Sequence, residues 1–298
     1  MELKKIKENI YYIPNSTNIG VIKNGENAIL IDSGLDDDTG KKVLKLLNSN
    51  GMQPMAIVNT HSHADHCGGN SYIKEKTGAV IYAPVHEGAL VHYPYFEPFF
   101  LFSGANPVKE LTNKFLMAKP SKVDFTIECD CNTLRVESYD LNIIKLPGHA
   151  VNQISVEVNG VLFCGDFVYS KEILEKHKIP FCANIEAQIC TMNNFVNNYE
   201  FVVPSHGEPV QDLRPLIDDY MEIINRVEAH IISILSTRKT TAEVFMELCC
   251  CMDIEIKSVP QYYLMNTAIM AYLSWLNNKG SAKISISGNV LYWQRVNV

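Results

Sequence analysis

Thr60-His61-Ser62-His63-Ala64-Asp65-His66-Cys67-Gly68-Gly69-Asn70 packs four metal-ligating side chains into six positions. The stretch follows the apolar run Ala56-Ile57-Val58, which reads as a buried strand. An extended strand ending in such a loop aims His61 and His63 one way, because alternate side chains share a face. Asp65 and His66, beyond the turn, point another way. Imidazole nitrogen and carboxylate oxygen are the usual donors to zinc, and they also suit iron or manganese. One short loop cannot close two metal sites. This reading therefore requires at least two more histidines and a bridging acid downstream.

Those residues follow in order. The strand signal Leu141-Asn142-Ile143-Ile144-Lys145-Leu146 stops at Pro147-Gly148-His149-Ala150. Residues 154–158 and 161–164, joined by Asn159-Gly160, predict a hairpin whose second strand ends at Gly165-Asp166. A helix over about 185–199 leads to Phe201-Val202-Val203, which stops at Pro204-Ser205-His206-Gly207-Glu208. Three strands thus end in glycine-adjacent loops, each carrying one strong ligand: His149, Asp166 and His206. Singly, a turn aspartate is usually a cap and a loop histidine is usually solvated. Jointly, after the four-ligand loop, they meet the requirement.

The rest of the first half alternates strand and helix signals, so the fold class is α/β. Residues 10–13, 20–22 and 28–32 read as short strands broken by Pro14, Asn15 and the Asn24-Gly25 turn. Helical spacing of Val43, Leu44, Leu46 and Leu47 predicts a helix over about 38–49, stopped by Gly51. A second helix is expected around 71–76 and a strand at 80–82. Residues 86–124 break this pattern and form an insertion. Its aromatic run, His92 to Phe102 with Pro94 and Pro98, either packs as core or forms a lid or subunit contact. His86 and His92 have no spaced partner and read as non-ligands.

After Pro209 the composition changes. Leu216, Tyr220, Ile223, Val227, Ile231 and Leu235 mark an amphipathic helix. Thr240 with Glu243 predicts a capping box opening a second helix through Cys249-Cys250-Cys251, whose thiols read as buried. A third helix is expected over about 262–277, then a hairpin of 282–286 and 290–293. Three helices and a hairpin look like a winged helix. The chain accordingly divides into a catalytic domain, 1–212, and a small, mostly helical, winged-helix-like domain, 213–298.

Bulk properties narrow the function. A chain of 298 residues with 47% hydrophobic and 20% charged residues is ordinary for a globular protein. A net charge of −7 argues against a general attraction to nucleic acid or anionic membrane. From Leu213 onward eight Lys/Arg balance eight Asp/Glu, so a nucleic-acid partner is not favoured over packing on the first domain or a homodimer contact. No apolar run approaches the roughly 18 residues of a membrane span, and the N-terminus lacks a signal-peptide core. The expected location is the cytoplasm. Nine cysteines at irregular positions, without paired C-x-x-C, read as free thiols. Cys67 and Cys164, beside ligands, read as small packing residues.

The set Leu30-Ile31-Asp32-Ser33-Gly34, His61-Ser62-His63-Ala64-Asp65-His66, Gly148-His149, Gly165-Asp166 and Ser205-His206-Gly207 resembles the metallo-β-lactamase superfamily over about residues 1–212. The C-terminal element order resembles its subgroup typified by glyoxalase II and β-lactamase-like protein 2, the latter an endoribonuclease. The resemblance implies a four-layer αββα sandwich with a metal cleft along one edge. It implies that His61, His63 and His149 hold one metal. Asp65, His66 and His206 would hold another, with Asp166 bridging and Asp32 steadying the ligand loop. The implied cofactors are two divalent ions, zinc by default. The implied reaction is hydrolysis by a metal-bridging hydroxide, with Asp65 also passing a proton to the leaving group. The favoured substrate is a small thioester or activated ester. Alternatives are an RNA or phosphodiester hydrolase and an iron-dependent persulfide oxygenase. His63 in place of Glu speaks against the flavodiiron branch.

Overall fold

The apolar runs pair into two mixed sheets in the computed structural model, which describes residues 1–296. In the first, β1 (Lys4–Lys7), β2 (Ile10–Ile13), β3 (Ile19–Asn24), β4 (Asn27–Ile31), β5 (Gln53–Val58), β6 (Val80–Pro84) and β7 (Phe125–Ile127) lie side by side in chain order. Neighbours are antiparallel as far as β4 and parallel beyond it. Parallel neighbours need crossovers. Between β4 and β5 runs α1 (Asp37–Ser49), and between β5 and β6 run α2 (Ala64–Cys67) and α3 (Asn70–Thr77). The insertion before β7 supplies α4 (Val85–His92) and α5 (Phe96–Leu101).

The second sheet holds β8 (Thr133–Val136), β9 (Tyr139–Lys145), β10 (Ile154–Val158), β11 (Val161–Phe163) and β12 (Phe201–Val203). All its pairs are antiparallel except β11 with β12, which α6 (Lys171–His177) and α7 (Ile185–Asn194) connect. Asn159 and Gly160, both at positive φ, make the tight β10–β11 turn. β1, β7, β8 and α6 escape a reading by pattern. They are short, and Lys4-Lys5-Ile6-Lys7 carries no apolar alternation.

Period-two alternation builds the layers. Ile29, Ile31, Ala56 and Val58 face inward against Val156, Val161, Phe163 and Val203 of the other sheet. Ala28, Leu30 and Ile57 point outward under Val43, Leu47 and Ile73 of α1 and α3. Leu162 and Val202 point outward on the opposite side. This is the αββα order.

That outer side is covered largely by the C-terminal elements: α8 (Arg214–Ile234), α9 (Thr241–Cys251), α10 (Val259–Asn278) and the hairpin of β13 (Ala282–Ser287) and β14 (Val290–Arg295). One continuous core runs from Leu162 and Val202 through Tyr220 and Ile224 to Leu248, Leu273 and Trp293. Thr240 and Glu243 form the capping box. Of the cysteine triplet only Cys249 is buried, whereas Cys250 and Cys251 are exposed. Successive helix positions turn by about 100°, so three in a row cannot share one face. No helix among the described residues is long and apolar enough to cross a membrane.

The insertion is partly core and partly surface. Leu101, Leu111 and Leu116 form a small cluster with Phe181, Tyr263 and Leu264, which ties the insertion to α10. Tyr93, Tyr95, Phe96 and Phe100 remain exposed. The insertion also reaches α1. Asp36 caps that helix by accepting the Thr39 N–H and hydroxyl, each at 2.9 Å, and pairs with Lys114 at 2.8 Å. The hydrogen bond from Lys114, aided by those from Thr39 and opposed by burial, holds its carboxyl at about 2.

A folded value below the roughly 3.9 of an unfolded aspartate makes this stabilisation complete above that pH and lost as pH falls toward the folded value. Asp36→Ala is expected to cost about 1 kcal/mol in urea unfolding at neutral pH. The gap between the variant and the wild type should close between about pH 4 and pH 2.

Candidate metal centre

The loops after β4, β5, β9, β11 and β12 meet along one edge of the sandwich, and they carry Asp32, His61 to His66, His149, Asp166 and His206 respectively. The β5 loop is a tight entry into α2 rather than an open loop. Its two glycines have a steric reason. A Cβ on Gly68 would lie 1.8 Å from the Leu35 carbonyl oxygen, and one on Gly69 2.3 Å from that of Ser33. Only glycine lets the Asp32 segment pass this close.

Asp32, at a φ of 61°, aims its carboxylate back at the ligand loop. Oδ1 accepts the Thr60 N–H at 2.8 Å, and Oδ2 accepts the Thr60 hydroxyl and His66 Nδ1–H, each at 2.8 Å. The tautomers follow from these partners. Thr60 Oγ1, donating to Asp32, is left to accept His61 Nδ1–H at 3.1 Å. His149 Nδ1 donates to the Phe181 carbonyl at 3.1 Å, and His206 Nδ1 donates to the Ser16 carbonyl at 2.6 Å. In four of the five histidines the outward nitrogen is thus engaged by a fixed oxygen, which turns Nε2 inward.

The inward atoms form two groups. His63 Nδ1 lies 3.1 Å from His61 Nε2 and 2.9 Å from His149 Nε2. A single N–H on His63 can serve only one of those two lone pairs. The same three nitrogens suit a tetrahedral ion, whose ligands at about 2.0–2.1 Å stand roughly 3.3 Å apart. In the second group, His206 Nε2 lies 3.5 Å from Asp65 Oδ2, and His66 Nε2 lies 3.7 Å from the same oxygen. Asp166 stands between the groups: Oδ1 is 3.2 Å from His66 Nε2, and Oδ2 is 3.5 Å from His149 Nε2 and 3.4 Å from His206 Nε2. His66 Nε2 and Asp166 Oδ1 are fully buried and have no hydrogen-bond partner among the described residues. Two orphaned atoms at that depth, plus converging lone pairs, fit divalent cations.

Electrostatics separates the two groups. Burial, then the imidazoles of His66, His63 and His149, holds His61 well below the usual histidine range. Burial also lowers His149, to about 3. Burial opposes charge on His66 and His206 too, but Asp166 and Asp65 outweigh it; His66 rises well above its usual range and His206 to about 9. Asp166 resists burial through His206, His66 and His149 and stays well below the carboxylate range. The first group thus offers neutral nitrogens, while in the second the ionised carboxylates favour positive charge on His66 and His206, a charge that a dication would supply in place of their protons.

Several supporting residues leave no signal in the sequence. Thr17 donates to Asp65 Oδ2 at 2.7 Å from the turn whose Ser16 holds His206. The Tyr169 hydroxyl, 3.0 Å from His149 Nδ1, donates to Asp166 Oδ2 at 3.2 Å, and its ring stacks on His206. It lies three residues past Asp166, inside a run that reads as plain core. Buried Glu87 contacts the ligand loop through Ser62. His86 is exposed, His92 packs on Tyr93, and neither joins the centre. Cys67 and Cys164 are buried, and burial pushes both thiols up, which makes them poor nucleophiles.

The inward-facing atoms of the two groups open into a cleft of about 500 Å³. Phe115 and Leu116 of the insertion, Phe181, and Leu264 of α10 form its apolar walls, while Glu97, Lys176 and His177 supply charge and polarity. Burial raises Glu97, against the pull of His63.

This fold around this donor set defines a class. Residues 12–221 match the metallo-beta-lactamase superfamily, and the chain belongs to it. Hydroxyacylglutathione hydrolase of Shewanella pealeana is 29% identical over 162 residues, which cover 52% of this chain and 50% of that one. The chain spans about half the length of the curated relatives it matches. A metallo-beta-lactamase family protein of Thermus thermophilus has a TM-score of 0.73 at 17% identity, over 97% of this chain and 99% of that one. A beta-lactamase domain protein of Burkholderia ambifaria has a TM-score of 0.71 at 15% identity, over 99% and 93%. These likenesses concern fold, and they reach the C-terminal helices.

Asp32→Asn tests the anchoring. Asparagine tolerates the left-handed backbone but turns an amide N–H₂ toward donors that need an acceptor. Chelator competition should show metal affinity weakened about 10- to 100-fold.

Proposed function

We propose that the protein is a dinuclear metal-dependent hydrolase. His61, His63 and His149 would hold one ion, Asp65, His66 and His206 the other, and Asp166 would touch both. The observation that carries this reading is the convergence of inward-turned Nε2 atoms on Asp166, each fixed from behind by an oxygen acceptor. The nitrogen and oxygen donors favour zinc, and iron or manganese also fit them.

Bound dications would supply Lewis acidity and lower the pKa of water. The chain's own groups do the rest. Asp65, held by Thr17, offers a carboxylate at the cleft wall that can take a proton and return it to the leaving group. The apolar walls exclude water and accept an acyl chain, and Lys176 at the margin suits an anionic arm on the leaving group. A small thioester fits this division best, and the relatives named as hydroxyacylglutathione hydrolases support it. The winged-helix element order favours an RNA hydrolase. Against it, Lys239 pairs with Glu247, Lys279 with Glu228, and Arg238 lies over Tyr292. These basic groups are engaged within the module rather than presented together to phosphates. The free thiols suit a reducing cytoplasm.

Metal analysis of the purified protein should give two equivalents, and thiol release from a panel of thioesters should depend on them. Asp166→Ala is expected to lose one equivalent and most turnover. A two-metal protein that hydrolyses no thioester, ester or lactone, yet cleaves single-stranded RNA, would establish the RNA reading instead.

A further inference from the structure

Ser62 sits between the two histidines of the first ligand group, and its polar atoms turn away from the centre. Both its backbone N–H, at 3.1 Å, and its hydroxyl, at 2.6 Å, donate to Oε2 of Glu87. The other carboxylate oxygen, Oε1, accepts the backbone N–H of Asn152 at 3.1 Å. Glu87 lies on α4 and is only 3% exposed. Glutamate is almost never buried this deeply unless a cation pairs with it. Here, among the described residues, no Lys or Arg does so; three neutral donors satisfy it instead. Desolvating a carboxylate for such partners is costly, so its place invites a specific explanation.

The two segments it joins supply one. Ser62 belongs to the loop after β5, in the first sheet, and Asn152 to the loop after β9, in the second. His61 and His63 flank the first contact, and His149 lies three residues before the second. Apart from the approach of His63 to His149 itself, no other side-chain hydrogen bond among the described residues joins these two loops. One backbone bond reaches across nearby, from the Ile154 N–H to the Thr60 carbonyl at 3.0 Å, and it leaves the Ser62 end of the loop unheld. Asp32 grips Thr60 and His66, on either side of the first two histidines' turn. The two carboxylates therefore divide the work. Asp32 orients the arm facing the second ligand group, and Glu87 sets the separation within the first.

We infer that Glu87 is a positioning residue that clamps the Ser62 and Asn152 loops so that His61, His63 and His149 meet at one ion. The inference rests on the reading of those three histidines as ligands. It assigns Glu87 no contact with substrate.

Cobalt(II) titration of the purified full chain, followed by visible absorption and chelator competition, resolves the two sites. His149→Ala serves as the control that removes a first-site ligand. Glu87→Gln keeps the shape but opposes an amide N–H₂ to a donor, and Ser62→Ala removes the shortest of the three bonds while leaving the loop's backbone bonds. Each is expected to weaken first-site binding about 10- to 100-fold, with second-site binding within about twofold of wild type. First-site affinity unchanged in both variants, or equal weakening at both sites, would overturn the clamp. If His149→Ala binds both ions as the wild type does, the ligand reading itself fails, and that result is distinct from failure of the clamp. Should Glu87→Gln not fold, Ser62→Ala decides between these outcomes alone.

Discussion

The anchoring of four of the five imidazoles from behind is the constraint on which the rest depends. Five histidines and two carboxylates crowded at one sheet edge have many ways to pair with one another. They converge because fixed oxygens, namely Thr60 Oγ1, Asp32 and the carbonyls of Phe181 and Ser16, engage the outward nitrogens. These anchors come from four different segments. The centre is therefore only as well formed as the packing that brings those segments together.

The sandwich provides that packing. Strands of both sheets end along the same edge, and the apolar interface between Ile29, Ile31 and Val58 on one side and Val156, Phe163 and Val203 on the other holds the ends in register. The cleft above them is a separate construction. Phe115 and Leu116 come from the insertion, Phe181 from the chain after α6, and Leu264 from α10, near the far end of the sequence. The small cluster joining Leu111, Leu116, Phe181 and Leu264 makes insertion and C-terminal helix one wall. A change in α10 can thus alter which molecules reach the histidine cluster without touching it.

Much of the architecture is legible as pattern. Alternation in Ala28-Ile29-Leu30-Ile31 assigns the inner and outer faces of β4. Asn159-Gly160 marks the β10–β11 hairpin because a primed turn needs positive φ at both residues. Shorter elements such as β7 and β8 are below what periodicity resolves. They exist because neighbouring strands offer them a ladder to join. The C-terminal elements can be named in order, but not their attachment. Amphipathic spacing says that α8 buries one face, not that this face completes a core begun at Leu162 and Val202.

The same division holds at the centre. Histidine and aspartate at successive strand ends announce themselves by residue type and spacing, because few other roles gather such donors in glycine-bounded loops. Glu87, Thr17 and Tyr169 do not, since a helix glutamate, a turn threonine and a tyrosine in an apolar run are ordinary locally. The partners of Glu87 and Thr17 lie 25 and 48 residues away, and Tyr169 joins Asp166, three residues back, to His149, 20 residues back. By itself, then, the sequence determined the donor set and the layered α/β class, which follow from side-chain chemistry and short-range period. Only the tertiary structure decided which donors share an ion-sized space, which atoms hold them there, and what walls the cleft. Those are properties of distances between segments, and distance across a fold is set by packing rather than by local spacing.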